Sequence, residues 1–273
     1  MSTIFDKFSM AGKTALVTGG AGLLGKEFCR TLAEAGATVY VAELSLALST
    51  PVAAELTQAG YNAKAVAVDI TQQAGVRQVV EQIADETGSL DALVNSAALD
   101  PKFDPTHAFS GNNAFEDYPL KSWQEAVDVN LTGAFLVSQA AARQMVKQGK
   151  GSIINICSMY GLVGPDQRIY EKPGQPQTYK PVYYPVTKAG ILGLTRYIAT
   201  YYAGTQIRAN SLTPGGVFNN NDEVFLKQYS ARAVMGRMAH KDEMNGAVLF
   251  LASDASSYMT GSNLVVDGGW TAW

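Results

Sequence analysis

Tyr184 and Lys188 stand four residues apart in the run YPVTK. At about 100° per residue, a helix brings them within about 40° on one face, whereas Tyr183 falls about 140° from the lysine. An ammonium beside a phenol favours the phenolate, which makes Tyr184 the candidate for exchanging a proton with an alcohol or carbonyl oxygen. A second group of residues suits an anion. The run TGGAGLLG, from Thr18 to Gly25, places glycines where a strand gives way to a helix. Such a turn aims peptide N–H groups and a helix N-terminus at a pyrophosphate. Beyond Gly25 the next run of β-branched residues ends at Glu43, and no Arg or Lys follows it closely. A carboxylate there accepts both hydroxyls of a ribose and repels a 2′-phosphate, so the pattern predicts NAD as cofactor in preference to NADP.

These side chains need a frame, and the periodicity supplies one. Short apolar runs occupy 14–18, 38–42, 63–68, 92–95, 151–157, 207–212 and 263–267. They are apolar at successive positions, as strands covered on both faces must be. Between them the spacing predicts helices over 25–35, 51–58, 72–87, 122–148, 185–203 and 242–252. Repeated βαβ units imply an α/β fold, a doubly wound parallel sheet of Rossmann type. No break in composition divides the chain, so 1–273 is expected to form one domain. Two connections exceed ordinary length, about 99–121 and 159–182, and long loops in a compact domain usually carry function.

Of 273 residues, 47% are hydrophobic and 16% charged, enough apolar material for a substantial core. The net charge of −3 gives no general attraction to nucleic acid or anionic lipid. No stretch is long and apolar enough to span a bilayer, and the first residues lack a signal-peptide core, so a cytoplasmic location is expected. Cys29 and Cys157 sit in apolar runs as reduced thiols. His107 and His240 lie far apart without ligand spacing, so no metal site is expected, and no G-x-S-x-G elbow is present.

From Lys13 onward the chain resembles the short-chain dehydrogenase/reductase family, in its compact branch of about 250 residues. YPVTK is similar to that family's Tyr-x-x-x-Lys, and Ser158, following GSIINIC, resembles its catalytic serine. Asn130 in VNLTG matches the asparagine that supports a proton-relay water. Asn95 in NSAA resembles the start of the Asn-Asn-Ala-Gly turn, and Asp69 in VDIT the acid beside the adenine. PGGV from Pro214 stands where the family meets the nicotinamide, and the C-terminal run YMTGSNLVVDGG is similar to the compact branch's ending. The resemblance implies catalysis by Asn130, Ser158, Tyr184 and Lys188. It implies dinucleotide contacts from Gly19, Gly22, Leu23, Leu24, Gly25, Glu43, Asp69, Ile70, Asn95, Ala97, Tyr184, Lys188, Pro214, Gly215 and Val217. Substrate contacts are expected from Ser158, Tyr160, Arg168, Lys172 and Gly216, and assembly as a homodimer or homotetramer through broad helix faces.

Two departures bear on the reading. Leu23 replaces a usual glycine, leaving the Gly-x-x-Gly-x-x-Gly spacing of the extended sugar-nucleotide branch, and 26 positions separate Ser158 from Tyr184. The chain nevertheless carries the compact ending, which leaves no room for a separate substrate domain. The long loops hold Lys102, His107, Asn112, Asn113, Asp166, Gln167, Arg168, Glu171 and Lys172, which suit a sugar-like or anionic polyhydroxylated substrate. The runs SMYGLVGPDQRIYE and LTPGGVFNN are similar to short-chain oxidoreductases of flagellin modification and nonulosonic-acid sugars. The expected reaction is NAD-dependent interconversion of a secondary alcohol and a ketone. The alternatives are a sugar-nucleotide epimerase or dehydratase, and an idle dinucleotide-sensing protein. No tyrosine has a lysine seven positions later, unlike the related enoyl-reductase arrangement.

Overall fold

All seven predicted strands form: β1 Thr14–Thr18, β2 Thr38–Glu43, β3 Ala63–Ala67, β4 Ala92–Asn95, β5 Lys150–Ile156, β6 Gln206–Pro214 and β7 Asn263–Val266. They pair in parallel in the order β3-β2-β1-β4-β5-β6-β7. The chain winds outward from β1 to β3, then crosses to β4 on the other side of β1. That reversal opens a crevice above the carboxyl ends of β1 and β4, where open α/β sheets bind their ligands. The structure is a computed structural model and describes residues 3–100 and 113–273.

Alternate residues of the strands feed two cores. Ala15, Val17, Val39, Val41 and Ile154 pack with Phe28 and Leu32 of α1 (Leu23–Glu34), Val52 and Leu56 of α2 (Leu46–Gln58), and Val248 and Leu251 of α8 (Asn245–Ala252). Leu16, Tyr40, Leu93 and Ile153 face the other way. They meet Val80 and Ile83 of α3 (Gln73–Thr87), Ala141 and Met145 of α5 (Ala134–Gln148), and Ile198 of α6 (Tyr183–Tyr201). One sheet with a helical layer on each face is the doubly wound arrangement, in one domain.

Three helices differ from the sequence pattern. α2 begins five residues before Pro51, with Ser45 as an extended N-cap, so the proline falls within its first two turns. The expected helix over 122–148 is instead α4 (Leu120–Val127), a single π turn from Asp128 to Gly133, and α5. A Cβ on Gly133 would lie 2.6 Å from Ile70 Cδ1, so the wide turn is packed directly against the β3 loop. The segment read as one helix over 242–252 splits into a 3-10 turn, Lys241–Met244, followed by α8. α7 (Glu223–Ser230) was not anticipated; the Asp222 side chain accepts from the Phe225 N–H to cap it.

A row of polar side chains crosses the top of the sheet. Thr18 pairs in register with Asn95, Asn95 with Asn155, and Asn155 with Ser211. Asn95 Nδ2 donates to Asn155 Oδ1 at 2.8 Å, and Asn155 Nδ2 to Thr195 Oγ1 at 2.9 Å. Buried amides bonded to one another fix the register of the central strands beneath the crevice. Leu93 lies fully buried just below this row. Leu93→Ala is expected to lower unfolding free energy by about 2–5 kcal/mol, measured as a fall in the denaturant midpoint with an unchanged slope.

Candidate active site

A cavity of about 310 Å3 runs over the carboxyl ends of β1, β4, β5 and β6. Gly19, Gly22, Leu23, Leu24 and Gly25 line one end, Ser158, Tyr184 and Lys188 the other, and Pro214, Gly215, Gly216 and Val217 its side. The glycine turn is compact because it has to be. Gly19 has φ +64°, and a Cβ there would sit 2.7 Å from Ala97 Cα; a Cβ on Gly25 would overlap the Gly19 carbonyl. Gly22 is the extended N-cap of α1 and makes no side-chain cap, so the first N–H groups of the helix face the cavity end. That donor set fits a pyrophosphate.

Glu43 closes the far side of the same turn. It is half-buried, and its Oε1 accepts the Ala21 N–H at 2.9 Å. The carboxylate is therefore held against the glycine loop. Asp69 Oδ1 accepts from the Thr71 N–H and hydroxyl at 2.9 and 2.7 Å, fixing the bend that leads into α3. Ile70 is buried against Gly133. Thr18 Oγ1 accepts the N–H groups of Ser96 and Ala97, tying the β4 loop to the glycine turn. Thr18 was not singled out in the sequence, where it reads only as the end of a strand.

At the other end, β5 delivers Ser158 and α6 delivers both Tyr184 and Lys188. Lys188 is only 6% exposed and its Nζ donates to the Ile156 carbonyl at 2.9 Å, standing 5.8 Å from the centre of the Tyr184 ring. Burial lowers its pKa to about 8. Burial likewise pushes the Tyr184 phenol above its ordinary value, aided by the Asp100 charge and opposed by a hydrogen bond from Ser158. The sequence suggests that the ammonium simply lowers the phenol's pKa. The structure adds that loss of water around both groups works against either one being charged.

Asn130 lies in the π turn. Its Oδ1 accepts the Leu99 N–H at 2.6 Å and its Nδ2 donates to the Leu99 carbonyl at 3.2 Å and to Thr187 Oγ1 at 3.5 Å. The side chain thus joins the β4 loop to the helical turn that carries Lys188. Asn95 donates within the polar row, and its Oδ1 is buried without a partner.

The substrate end departs from expectation. Tyr160 and Gly216 line the cavity, but Arg168 and Lys172 do not. Arg168 is 76% exposed and its guanidinium grips Asp166, while Lys172 pairs with Asp222 at 3.0 Å. Each had an acidic neighbour that drew it outward. Of the other polar residues expected in these loops, Lys102, His107 and Asn112 lie outside the described residues. In place of Arg168 and Lys172, the cavity is lined by Asp100, Tyr170, Lys180, Phe225 and Tyr229. Lys180 gave no signal in the sequence, since it precedes Pro181 and the start of α6, where spacing does not translate into proximity. Asp100, at the edge of an irregular loop, gave none.

Among the described residues there is no cluster of His, Cys, Asp and Glu able to hold a metal ion, and no helix long and apolar enough to cross a membrane. The family model described as enoyl-(acyl carrier protein) reductase matches residues 20–271. The chain is 34% identical over 270 residues to a cis-4-hydroxycyclohexanecarboxylate dehydrogenase from Sinomonas cyclohexanicum, covering 97% of this chain and 98% of the relative. A short-chain type dehydrogenase/reductase from Mycobacterium marinum superposes with a TM-score of 0.85 at 36% identity, covering 100% of both chains. A gluconate 5-dehydrogenase from Burkholderia cenocepacia J2315, in complex with NADP and tartrate, superposes with a TM-score of 0.87 at 30% identity, covering 99% of this chain and 100% of the other.

Proposed function

Because this chain belongs to the short-chain dehydrogenase/reductase family, an oxidoreductase family that uses nicotinamide dinucleotides, we propose that it interconverts a secondary alcohol and a ketone with NAD. The substrate is a sugar-like, polyhydroxylated small molecule. The observation that carries this reading is the meeting of Ser158, Tyr184 and Lys188 in one cavity with the glycine turn. Similarity to dehydrogenases of a hydroxycyclohexanecarboxylate and of gluconate supports alcohol chemistry over enoyl reduction, as does the four-residue spacing of Tyr184 and Lys188.

When bound, the dinucleotide supplies the two-electron acceptor or donor at C4 of its nicotinamide. The chain's own residues do the rest. Ser158 donates to and orients the substrate oxygen, and Tyr184 takes the hydroxyl proton during oxidation and returns it during reduction. Lys188 stands beside the phenol and would hold the nicotinamide ribose of a bound dinucleotide. Asn130, fixed on the Leu99 backbone, supports the proton relay behind the lysine. Gly19, Gly22, Leu23, Leu24 and Gly25 would take the pyrophosphate, Asp69 and Ile70 with Asn95 and Ala97 the adenosine end, and Pro214, Gly215 and Val217 the nicotinamide end. Positioning and fixed charge are the protein's share of such a reaction.

The preference for NAD rests on Glu43, held by Ala21 where a 2′-phosphate would meet its charge, although the gluconate 5-dehydrogenase that superposes on this chain is in complex with NADP. Assembly as a homodimer or homotetramer accounts for the exposed aromatic and aliphatic residues of the long helices, Phe135 and Val146 on α5 and Val186, Tyr197 and Tyr201 on α6. Light scattering at micromolar concentration is expected to give at least twice the chain mass, and a monomer would remove the need for those faces to pair. The chain is proposed to act in the cytoplasm.

Glu43→Ala is expected to narrow the ratio of NADP to NAD dissociation constants by about tenfold, the worth of one charge-assisted hydrogen bond; tighter binding of NADP by the unmodified protein would refute the preference. Tyr184→Phe is expected to cut alcohol oxidation by at least about a hundredfold, while NAD binding by fluorescence titration stays near normal. Near-normal turnover would remove Tyr184 as the acid/base.

A further inference from the structure

A second lysine faces the reacting phenol. Lys180 Nζ lies over the Tyr184 ring, 3.9 Å from its centre, nearer than Lys188 at 5.8 Å. It donates to Asp100 Oδ2 at 3.0 Å, and the two side chains are only 13% and 18% exposed. Both line the cavity that holds Ser158 and Tyr184. An ammonium over the face of a phenol stands within about two hydrogen-bond lengths of the phenolic oxygen. An oxygen on the carbon next to a carbinol hydrogen-bonded to the phenol would fall within that span.

The placement of Lys180 is built in, not incidental. Its N–H donates to Gln167 Oε1 at 2.9 Å, and Gln167 is in turn gripped by Gln177, whose Nε2 donates to the Gln167 carbonyl at 3.1 Å. Gln167 opens a 3-10 turn, Gln167–Tyr170, capped by Asp166, and Asp166 is clamped by Arg168 and by Arg232 at 2.6 Å. On its other side, Asn113 Nδ2 donates to the Tyr179 carbonyl at 3.2 Å. These segments fix the backbone that carries Lys180, and Asp100 holds its ammonium over the ring.

Charge decides what the pair can recognise. Lys180 is already paired with Asp100, so a carboxylate entering here would meet the Asp100 charge as well as the ammonium. A hydroxyl does better: it accepts from the ammonium, which has three N–H donors, and donates to the carboxylate. Across the cavity, Tyr160, Tyr170, Phe225 and Tyr229 offer flat apolar faces that suit a ring. We propose that Lys180 and Asp100 together recognise a neutral hydroxyl vicinal to the one being oxidised, and so select cyclic 1,2-diols over both simple alcohols and hydroxy acids. This rests on the alcohol oxidoreductase reading and narrows its substrate to a neutral polyol.

The test separates binding from turnover. Calorimetric titration of NAD-loaded Tyr184→Phe is made with cis-1,2-cyclohexanediol, cyclohexanol and cis-2-hydroxycyclohexanecarboxylate. The diol is expected to bind at least about tenfold more tightly than cyclohexanol, one hydrogen bond to a charged group. Adding Lys180→Met should bring the two within about twofold, and adding Asp100→Asn should turn the preference toward the carboxylate, because the freed ammonium then seeks an anion. Lys180→Arg should retain the diol preference, which excludes a general failure of folding. A diol bound no more tightly than cyclohexanol, a carboxylate favoured by the protein with Lys180 and Asp100 intact, or a ratio unmoved by Lys180→Met overturns the proposal. If the diol preference holds but unmodified protein oxidises none of these alcohols, the oxidoreductase reading fails and only the binding preference of Lys180 and Asp100 stands; if it oxidises them and binds them without preference, the oxidoreductase reading stands and this recognition fails.

Discussion

A phenol and an ammonium share one poorly hydrated corner at the carboxyl ends of β5 and β6, and burial opposes charge on each. Lys188 is driven down to about 8 and Tyr184 is driven up, so any attraction between ammonium and phenolate is set against the loss of water around both. What makes the corner chemically useful is the polar supply around it. The Ile156 carbonyl accepts from Lys188, Ser158 hydrogen-bonds the phenol, and Lys180 lies over its ring with Asp100 behind. A desolvated acid/base pair gains from each such contact far more than a solvated one would, and loses as much when one is missing.

Much of the fold serves to hold these contacts at fixed distance. The strand order puts the turn at β1 beside the loop after β4, and the buried row from Thr18 to Ser211 locks the central strands in register beneath them. The π turn then does what a regular helix would not. It carries Asn130 onto the Leu99 backbone and the Thr187 hydroxyl, linking the β4 loop to the helix of Tyr184 and Lys188. A widened turn at a functional position is a recurring use of that geometry. The same loop leads directly to Asp100, so the polar supply to the phenol and the fixing of the lysine helix share one anchor.

The strands and the glycine turn were legible because their signals are local. A strand buried on both faces must be apolar at every position, and a pyrophosphate turn must have glycine where backbone meets backbone, as Gly19 and Ala97 do. Tyr184 and Lys188 were legible because a helix converts spacing into proximity. The substrate end was not, for the opposite reason. Whether a charged loop residue faces a cavity or solvent depends on its neighbours in space: Asp166 draws Arg168 outward and Asp222 draws Lys172, while Asp100, 80 residues away in sequence, draws Lys180 inward. The π turn was hidden for a related reason, since its apolar spacing continues that of the helices on either side and only the packing of Ile70 on Gly133 marks it.

The central claim is that positive charge beside a buried phenol sets when Tyr184 can take a proton. The most direct test is the pH dependence of kcat/KM for oxidation of one secondary alcohol, from about pH 6 to about pH 10, in unmodified protein and in Lys188→Met. The rising limb is predicted to move upward by at least about one pH unit in the variant, because in that buried corner phenolate and ammonium stabilise one another only as a pair, and the variant leaves the phenolate to bear the loss of water alone. Limbs that superimpose would show that the group titrating is not Tyr184 under the control of Lys188, and would contradict the account.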